Sequence, residues 1–273
     1  MLVSTKEMIE KAYKEGYAVG AFNVSNLETL KAVIQAAEAK RAPIILATTE
    51  TAIAYAGLPY LLNLMKTAAE LSSLPMAIHL DHGRSIEMAK KCLEVGFTSV
   101  MFDGSHMSLE ENIKATKEVT DFCHSKNIPV EGEVGELGAD ETKKADIIEA
   151  KEFIEKTGVD YLAPGLGTSH GVGASEHIDL DLLSQIRREI NIPLVLHGGS
   201  GVQKDEIQKA IKLGIAKINI HTELRLAFIN GFKKGLQEFP DSDDHRDMLK
   251  LSIAEMQKVV EEKIDLFGSA GKV

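Results

Sequence analysis

A carboxylate and an imidazole stand side by side in the run Ala77-Ile78-His79-Leu80-Asp81-His82-Gly83. The apolar first half of this run predicts a buried β-strand, so Asp81 and His82 come where that strand ends. Neighbouring carboxylate and imidazole groups can bind a metal ion and transfer a proton. His170 and His197 also end or follow strand-like runs. Three histidines at three strand ends predict one metal site.

The imidazoles of His82, His170 and His197 would leave one coordination position open, which is the arrangement of a catalytic zinc ion. Taken alone, a histidine beside a strand is more often a hydrogen-bonded structural residue than a ligand. Asp103 is a candidate partner or alternative ligand, because metal-bound imidazoles usually donate their other N–H to an oxygen. The alternative role of Asp103 is that of a turn residue before Gly104.

Two acids are candidates for proton transfer. Asp81 is adjacent to a predicted ligand but can face a substrate, and its alternative role is to orient His82 or the metal. Glu141 lies in the Gly-rich, charged stretch 135–146, and a long loop of this kind is usually a lid if it is functional. Glu141 could close over a substrate, although a solvated surface position is the usual role of an isolated loop glutamate.

The run His197-Gly198-Gly199-Ser200-Gly201 precedes a predicted helix, so its backbone N–H groups can form a concave anion site. Glycines that only form turns are the alternative. The position of this run after the seventh predicted strand favours a phosphate site, because the loops after strands seven and eight of (β/α)8 barrels commonly bind phosphate. The residues Asn219-Ile220-His221-Thr222 would form the opposite wall.

Strand-like and helix-like segments alternate along the whole chain and must bring these residues together. The predicted strands are 18–24, 43–48, 75–80, 99–102, 128–134, 160–163, 193–196 and 217–220. The predicted helices run from a capping box at Ser4 to near Gly16, and then over 27–40, 60–71, 85–95, 109–125, 150–156, 180–189, 204–213 and from 222 to 267 with a break at 240–244. Uninterrupted alternation of this kind predicts a parallel sheet that is covered by helices.

Eight such units in 273 residues predict a single α/β domain over 1–273, a closed (β/α)8 TIM barrel with extra C-terminal helices. The helical extension at about 241–273 could pack on the barrel or on another subunit. An open doubly wound sheet is the alternative fold, but no Gly-x-Gly-x-x-Gly follows the first strand.

In a TIM barrel the site lies at the carboxyl ends of the strands. Polar residues end or follow nearly every predicted strand: Asn23, Thr49, Asp81, His82, Asp103, Glu133, His170, His197, Asn219, His221 and Thr222. No lysine occurs among them, so a Schiff-base mechanism has no candidate residue. Lys217 and four prolines instead stand at the predicted amino ends of strands, and His79 is interpreted as structural or surface.

Composition narrows the class of protein. A formal charge of −10 disfavours nonspecific nucleic-acid binding, which needs clustered lysine and arginine. Two cysteines support neither a disulfide framework nor a CxxC metal site. The amino-terminal residues lack a secretory pattern, and no apolar run approaches the roughly 20 residues of a membrane span. We therefore expect a cytoplasmic protein without a membrane partner.

At these residues the chain resembles the class II, metal-dependent fructose/tagatose-bisphosphate aldolases over almost its full length. The resemblance rests on the motifs Ala21-Phe22-Asn23, His79-Leu80-Asp81-His82-Gly83, Val100-Met101-Phe102-Asp103-Gly104-Ser105, Glu131-Gly132-Glu133-Val134-Gly135, Gly167-Thr168-Ser169-His170-Gly171, Leu196-His197-Gly198-Gly199-Ser200-Gly201 and Lys217-Ile218-Asn219-Ile220. It implies that His82, His170 and His197 bind zinc and that Asp81 donates and accepts the proton. Glu133 would lie near an alternative metal position, and Glu141 would be the loop acid.

The resemblance also implies a small phosphorylated sugar as substrate. Its contacts, largely to the ketose-side phosphate, would come from Gly171, Gly198, Gly199, Ser200 and the four residues Asn219, Ile220, His221 and Thr222. A monovalent cation, Na⁺ or K⁺, would be held near Gly171 and Ser200. Many fructose-bisphosphate members carry Asp where this chain has His221, whereas tagatose-type members lack that Asp. The identity of the sugar therefore stays open.

The predicted activity is reversible zinc-dependent cleavage of a ketohexose 1,6-bisphosphate, fructose or tagatose, to dihydroxyacetone phosphate and glyceraldehyde 3-phosphate. Three alternatives remain: an aldolase for another phosphorylated ketose, a noncatalytic barrel subunit that supports a partner aldolase, and a zinc hydrolase. The expected assembly is a homodimer or a homotetramer.

Overall fold

Eight parallel strands close into one barrel in sequence order, with β1 hydrogen-bonded to both β2 and β8. The computed structural model describes residues 1–136, 144–168 and 177–273. The strands are β1 Val19–Asn23, β2 Ile44–Thr49, β3 Met76–Gly83, β4 Ser99–Phe102, β5 Val130–Val134, β6 Tyr161–Pro164, β7 Leu194–Leu196 and β8 Ile215–Ile220. The predicted (β/α)8 barrel is confirmed.

Helices cover the outside of the barrel, and side-chain caps fix where many of them begin. They are α1 Thr5–Glu15, α2 Leu27–Lys40, α3 Glu50–Ala56, α4 Leu58–Leu71, α5 Ile86–Val95, α6 Leu109–His124, α7 Ile147–Thr157, α8 Leu180–Glu189, α9 Lys204–Lys212, α10 Thr222–Glu238 and α11 His245–Phe267. Asn26 and Ser108 each form a capping box, in which cap and third residue satisfy each other's backbone N–H. None of the helices in the described ranges is long and apolar enough to cross a membrane.

The interior of the barrel is apolar and small at its amino end. Val19, Ala21, Ile45 and Ala77 are fully buried there, together with the buried face of α1. Because side chains alternate along a strand, every second residue points into the barrel. Closer to the carboxyl ends of β3, β5 and β8, these inward residues are polar. The side chains inside the barrel therefore change from apolar to charged toward the face where TIM barrels bind substrate.

Helix α11 packs on the outside of the barrel through one buried stripe that includes Met256, Val260 and Ile264. It crosses α10 closely, because a Cβ on Gly231 would lie 2.5 Å from the Cα of Ser252, and one on Gly235 would lie 2.6 Å from the Cα of Met248. Only glycine permits this approach, so the two C-terminal helices form one layer.

Three local differences from the sequence prediction concern the site. Strand β3 continues through Asp81 and His82 to Gly83, and its pairing with β4 shifts between Leu80 and Gly83. Strand β8 begins at Ile215, which places Lys217 inside the strand and fully buried. The short helix α3 was not predicted, and it begins directly after Thr49, whose hydroxyl accepts from the backbone N–H of Ala52 at 3.2 Å.

Candidate active site

A cavity of about 600 Å³ opens at the carboxyl ends of the barrel strands. Most predicted site residues line it: Asn23, Thr49, Asp81, His82, Asp103, Glu133, Gly198, Ser200, Asn219, His221 and Thr222. Carboxylates, imidazoles and amides lie at its floor. These residues come from strands β1, β2, β3, β5 and β8 and from the segments that follow β4, β7 and β8, as expected for a barrel active site.

Two imidazoles meet at the floor of this cavity. His82 Nε2 lies 3.0 Å from His197 Nδ1. The other ring nitrogen of each histidine faces a carboxylate oxygen: His82 Nδ1 is 2.8 Å from Asp103 Oδ2, and His197 Nε2 is 2.8 Å from Glu131 Oε1. An ionised carboxylate only accepts hydrogen bonds, so these outer nitrogens carry the N–H.

When both rings are neutral, the two facing nitrogens of His82 and His197 both present lone pairs. At 3.0 Å such lone pairs repel unless a proton or a metal cation lies with them. Asp81 also belongs to this group, since one carboxylate oxygen and the two ring nitrogens lie within 4.8 Å of one another. Two imidazoles whose outer N–H groups are held by carboxylates form a donor set that suits a transition-metal ion.

His82 is placed by an uncommon backbone conformation. Its φ of +48° lies in the left-handed region, which non-glycine residues rarely adopt.

Burial alone would lower the pKa of His82, but the charges of Asp81 and Glu133 and the hydrogen bond to Asp103 outweigh burial and raise the pKa to about 9. The site therefore attracts positive charge strongly.

Asp81 is held at both oxygens. Its Oδ2 accepts from Asn23 Nδ2 and its Oδ1 accepts from Asn219 Nδ2, each at 2.8 Å. Burial alone would raise the pKa of Asp81, but the nearby charges of His82 and His197 lower it overall. Asp81 is therefore ionised and oriented, as a proton acceptor must be.

Glu133 forms a second acidic group with His82 and Asp103, whose potential ligand atoms also lie within 4.8 Å of one another. Its Oε2 is 3.8 Å from His82 Nδ1, and this buried oxygen has no hydrogen-bond partner among the described residues. Burial, and then the charge of Asp103, raise the pKa of Glu133 well above its usual value. A second cation position next to His82 would satisfy this oxygen.

The loop 198–201 lies between β7 and α9 and bends toward the cavity. Gly198 and Gly201 have φ values of +68° and +83°, which glycine adopts without strain. The N–H of Gly201 donates to Glu223 Oε1 at 2.6 Å, and Lys263 Nζ on α11 donates to the same oxygen at 2.8 Å. The loop geometry is thus tied to both C-terminal helices.

Not every predicted contact residue faces the cavity. The side chain of Ile220 is fully buried in the core between barrel and helices. Gly199 lies against β8, where a Cβ would come within 2.6 Å of Ile218 Cγ2. His197 lies beneath the cavity against His82, while Glu141, His170 and Gly171 fall outside the residues that the structure describes.

Sequence reasoning missed several groups. Arg84 and Arg225 both line the cavity and supply cations. Arg84 directly follows β3, so its position at a strand end was a signal, and Arg225 lies in the first turn of α10. Three inward residues below the cavity were also given no role in the site: His79, Glu131 and Lys217 are fully buried. Each lies two positions before a residue that lines the cavity, so period-two alternation could have found them.

Comparison with known proteins identifies the family of this chain. Residues 3–272 match the family model described as fructose-bisphosphate aldolase class-II. The fructose-bisphosphate aldolase of Streptococcus pneumoniae is 42% identical, with 99% of each chain covered.

Solved structures show the same relationship. The YdjI aldolase of Escherichia coli superposes with a TM-score of 0.91 at 35% identity, covering 100% of this chain and 99% of the other. A putative fructose-1,6-biphosphate aldolase from Coccidioides immitis has a TM-score of 0.86 at 30% identity, with 97% and 96% covered. The chain therefore belongs to the class II fructose-bisphosphate aldolase family, whose members are metal-dependent lyases.

Proposed function

We propose that this protein catalyses the reversible, zinc-dependent cleavage of a ketohexose 1,6-bisphosphate, fructose or tagatose, to dihydroxyacetone phosphate and glyceraldehyde 3-phosphate. The observation that carries the proposal is the meeting of His82 Nε2 and His197 Nδ1 at 3.0 Å beside the ionised carboxylate of Asp81. This group lies at the floor of a cavity that the loop 198–201 also borders. The names of the relatives support fructose bisphosphate as a first substrate to test.

His82 and His197 would hold the metal ion, with His170 as the third ligand. Nitrogen ligands with one open position favour zinc. When bound, Zn²⁺ would supply Lewis-acid polarisation of the C2 carbonyl and its neighbouring hydroxyl and stabilise the enediolate. Asp103 accepts from His82 Nδ1 and so orients that ligand, and together with Glu133 it would serve the alternative metal position.

Asp81 would take the C4 hydroxyl proton during cleavage and return it during condensation. Its lowered pKa keeps the carboxylate ionised, and the two asparagine amides fix its plane. We assign protonation of the enediolate carbon to Glu141 on the family resemblance alone.

The two phosphates of the substrate need separate positive environments. The backbone N–H groups of the loop 198–200 and the hydroxyl of Ser200 would bind the ketose-side phosphate, with a Na⁺ or K⁺ ion near Ser200 and Gly171. Arg84 and Arg225 also line the cavity and carry positive charge. Either arginine can bind the second phosphate, because the guanidinium group matches phosphate geometry.

His221 is the residue on which we base the choice of sugar. It lines the cavity, and burial, followed by the charge of Arg225, lowers its pKa. A neutral imidazole donates one hydrogen bond and accepts another, whereas an aspartate only accepts. His221→Asp should therefore raise the ratio of kcat/KM for fructose bisphosphate over tagatose bisphosphate.

A coupled triose-phosphate assay on both bisphosphates tests the proposed reaction. We expect turnover that a chelator abolishes and Zn²⁺ restores, and no inactivation by borohydride with substrate. Chelator-resistant turnover, or borohydride trapping, would refute the metal mechanism. A metal-loaded protein that releases no triose phosphate from either sugar would act on another phosphorylated ketose or support a partner enzyme, and phosphate release without triose would identify a hydrolase.

We also propose that the protein forms a homodimer or homotetramer through α10. Leu226, Ile229, Leu236 and Phe239 are between 41% and 49% exposed. The first three recur at helical spacing and so form one apolar face, and such faces on soluble proteins mark association sites. Sedimentation analysis should show an oligomer that Leu226→Asp/Leu236→Asp dissociates, and a monomeric wild type would refute the assembly.

A further inference from the structure

A cluster of charged groups lies beneath the cavity, inside the barrel. Lys217 Nζ is 2.8 Å from Glu131 Oε2 and 3.1 Å from Glu131 Oε1. Neither side chain has any exposed surface, and neither lines the cavity. His79 is also fully buried, with Nε2 3.7 Å from Glu131 Oε2. The pair therefore touches neither solvent nor the space where a substrate would bind.

Fold stability does not explain this pair. Removing two charges from water is costly, and replacing a buried ion pair by apolar residues of similar volume is often neutral or stabilising. The neighbouring inward residues of the barrel, including Val19 and Ala21, are apolar and fully buried. An apolar pair at these two positions would continue that core. The charges call for a role other than packing.

The pair is connected to one predicted metal ligand. Glu131 Oε1 lies 2.8 Å from His197 Nε2 and also faces Lys217 Nζ. Because the ammonium group contacts both oxygens, the carboxylate cannot rotate away from His197 without losing a charged contact. Its position fixes the N–H of His197 at Nε2, so Nδ1 is unprotonated and directs its lone pair toward His82 Nε2 at 3.0 Å.

We propose that Lys217 and Glu131 are positioning residues for the metal, which together fix the tautomer and ring orientation of His197. The inference rests on the proposed metal-ligand role of His197. Lys217 acts through Glu131 and meets neither metal nor substrate. A carboxylate that accepts from a ligand histidine typically contributes tenfold to a hundredfold to metal affinity.

Measuring metal affinity and stability of the same variants tests this role. In Glu131→Gln/Lys217→Met both charges are removed together, so no single buried charge remains. We expect Zn²⁺ affinity, measured by competition with a chromophoric chelator, to fall about tenfold to a hundredfold. The melting temperature of the chelator-treated protein should stay equal or rise. With Co²⁺ in place of zinc, the absorption bands should shift, because the His197 ring is held differently.

Tyr161→Phe is the matched control. It removes the buried hydrogen bond between Tyr161 Oη and Thr5 Oγ1 at 2.8 Å, in which neither Glu131 nor His197 takes part. This variant should lose melting temperature and keep its Zn²⁺ affinity. Glu131→Asp is a second test, which keeps the charge beside Lys217 but withdraws it from His197, and it too should bind Zn²⁺ more weakly.

The outcomes separate the inference from the proposed function. The positioning role alone would be overturned if the double variant bound Zn²⁺ within twofold of the wild type. If the double variant does not fold, the same result with Glu131→Asp would overturn it. Loss of melting temperature in the double variant with unchanged Co²⁺ bands would show a structural pair instead. A wild-type protein that binds neither Zn²⁺ nor Co²⁺ would refute the proposed metal site itself.

Discussion

At the scale of single residues, each side chain at the floor of the cavity has a role that depends on which group its nitrogen or oxygen atoms face. His82 and His197 turn one nitrogen to each other and the other to a carboxylate. Asp81 accepts one amide hydrogen at each oxygen and keeps its remaining lone pairs for the cavity that it lines. The metal ligand and the proton acceptor that we propose, His82 and Asp81, are thus adjacent residues of one strand.

Asp81→Asn should remove proton transfer and retain the metal. An amide cannot accept the C4 proton as a base, so kcat should fall by about 10² to 10⁴. Zinc affinity should stay within a few-fold in chelator competition. Asp103→Asn is the control, because it weakens the acceptor of His82 Nδ1 and should lower metal affinity while saturating Zn²⁺ restores most turnover. Wild-type kcat in Asp81→Asn would exclude Asp81 from the chemistry, and loss of zinc would make it a ligand.

The sequence was informative about residues that end strands and poor about those inside them. Asp81 and His82 were found because an apolar run stops before them. Lys217 was placed at the amino end of a strand, since a lysine is expected to reach water. The structure starts β8 at Ile215, and Lys217 then shares the inward face with Asn219. A compensating carboxylate 86 residues earlier, Glu131, is not visible in any local pattern.

At the scale of elements, α10 and α11 do more than cover the barrel. Glu223 in the first turn of α10 accepts from Gly201 N–H, and Lys263 of α11 holds the same carboxylate at 2.7 and 2.8 Å. An anionic group thus lies against the predicted phosphate loop, with its charge balanced from the last helix. Removal of the Lys263 charge should therefore weaken phosphate binding at this loop.

Lys263→Met should raise KM for the bisphosphate about threefold to tenfold with kcat little changed, because the uncompensated carboxylate of Glu223 would repel phosphate. Lys258→Met on the same helix is the matched control. It removes an exposed pair with Glu255 that is remote from the loop, and should leave KM unaltered. Equal KM values for the two variants in the coupled assay would show that α11 has no influence on substrate binding.

Element boundaries were predictable where a cap fixes them. The predicted limits of α2 and α8 agree with the structure, because Asn26 and Asp179 accept the N–H groups of their first turns. Helix α3 was missed, since its cap Thr49 also reads as a strand end. The extension of β3 through His82 depends on a left-handed backbone that no local pattern announces.

At the scale of the whole molecule, the barrel encloses titratable groups that the unfolded chain would expose to water. His79 is the clearest case: burial, and then the charge of Lys217, lower its pKa to about 3. In the unfolded chain a histidine has a pKa near 6.5. Between these values the unfolded state binds a proton that the native state refuses, so acid favours unfolding.

Above pH 6.5, His79 should therefore make no contribution to the pH dependence of the free energy of unfolding of the metal-free protein. Below pH 6.5 this free energy should fall by up to about 1.4 kcal/mol per pH unit until pH 3, as one proton is taken up on unfolding. Urea unfolding at several pH values should show a slope reduced by about one proton in His79→Asn.

Ser99→Ala is the control for this titration. It deletes the hydroxyl 2.6 Å from His79 Nδ1 but leaves the imidazole buried, so stability should drop at every pH while the slope persists. An unchanged slope in His79→Asn would mean that another buried group, such as His197, dominates the acid limb.

The close contact of α11 with the first βα unit sets an order of events during synthesis. The N–H of Ala18 donates to Phe267 O and that of Gly271 to Lys40 O, each at 3.0 Å. Strand β1 likewise finds one of its two partners only in β8. During synthesis β1 must therefore wait for β8 before the barrel can close. A nascent chain stalled before α11 should accordingly expose the hydrophobic stripe on α2 to chaperones.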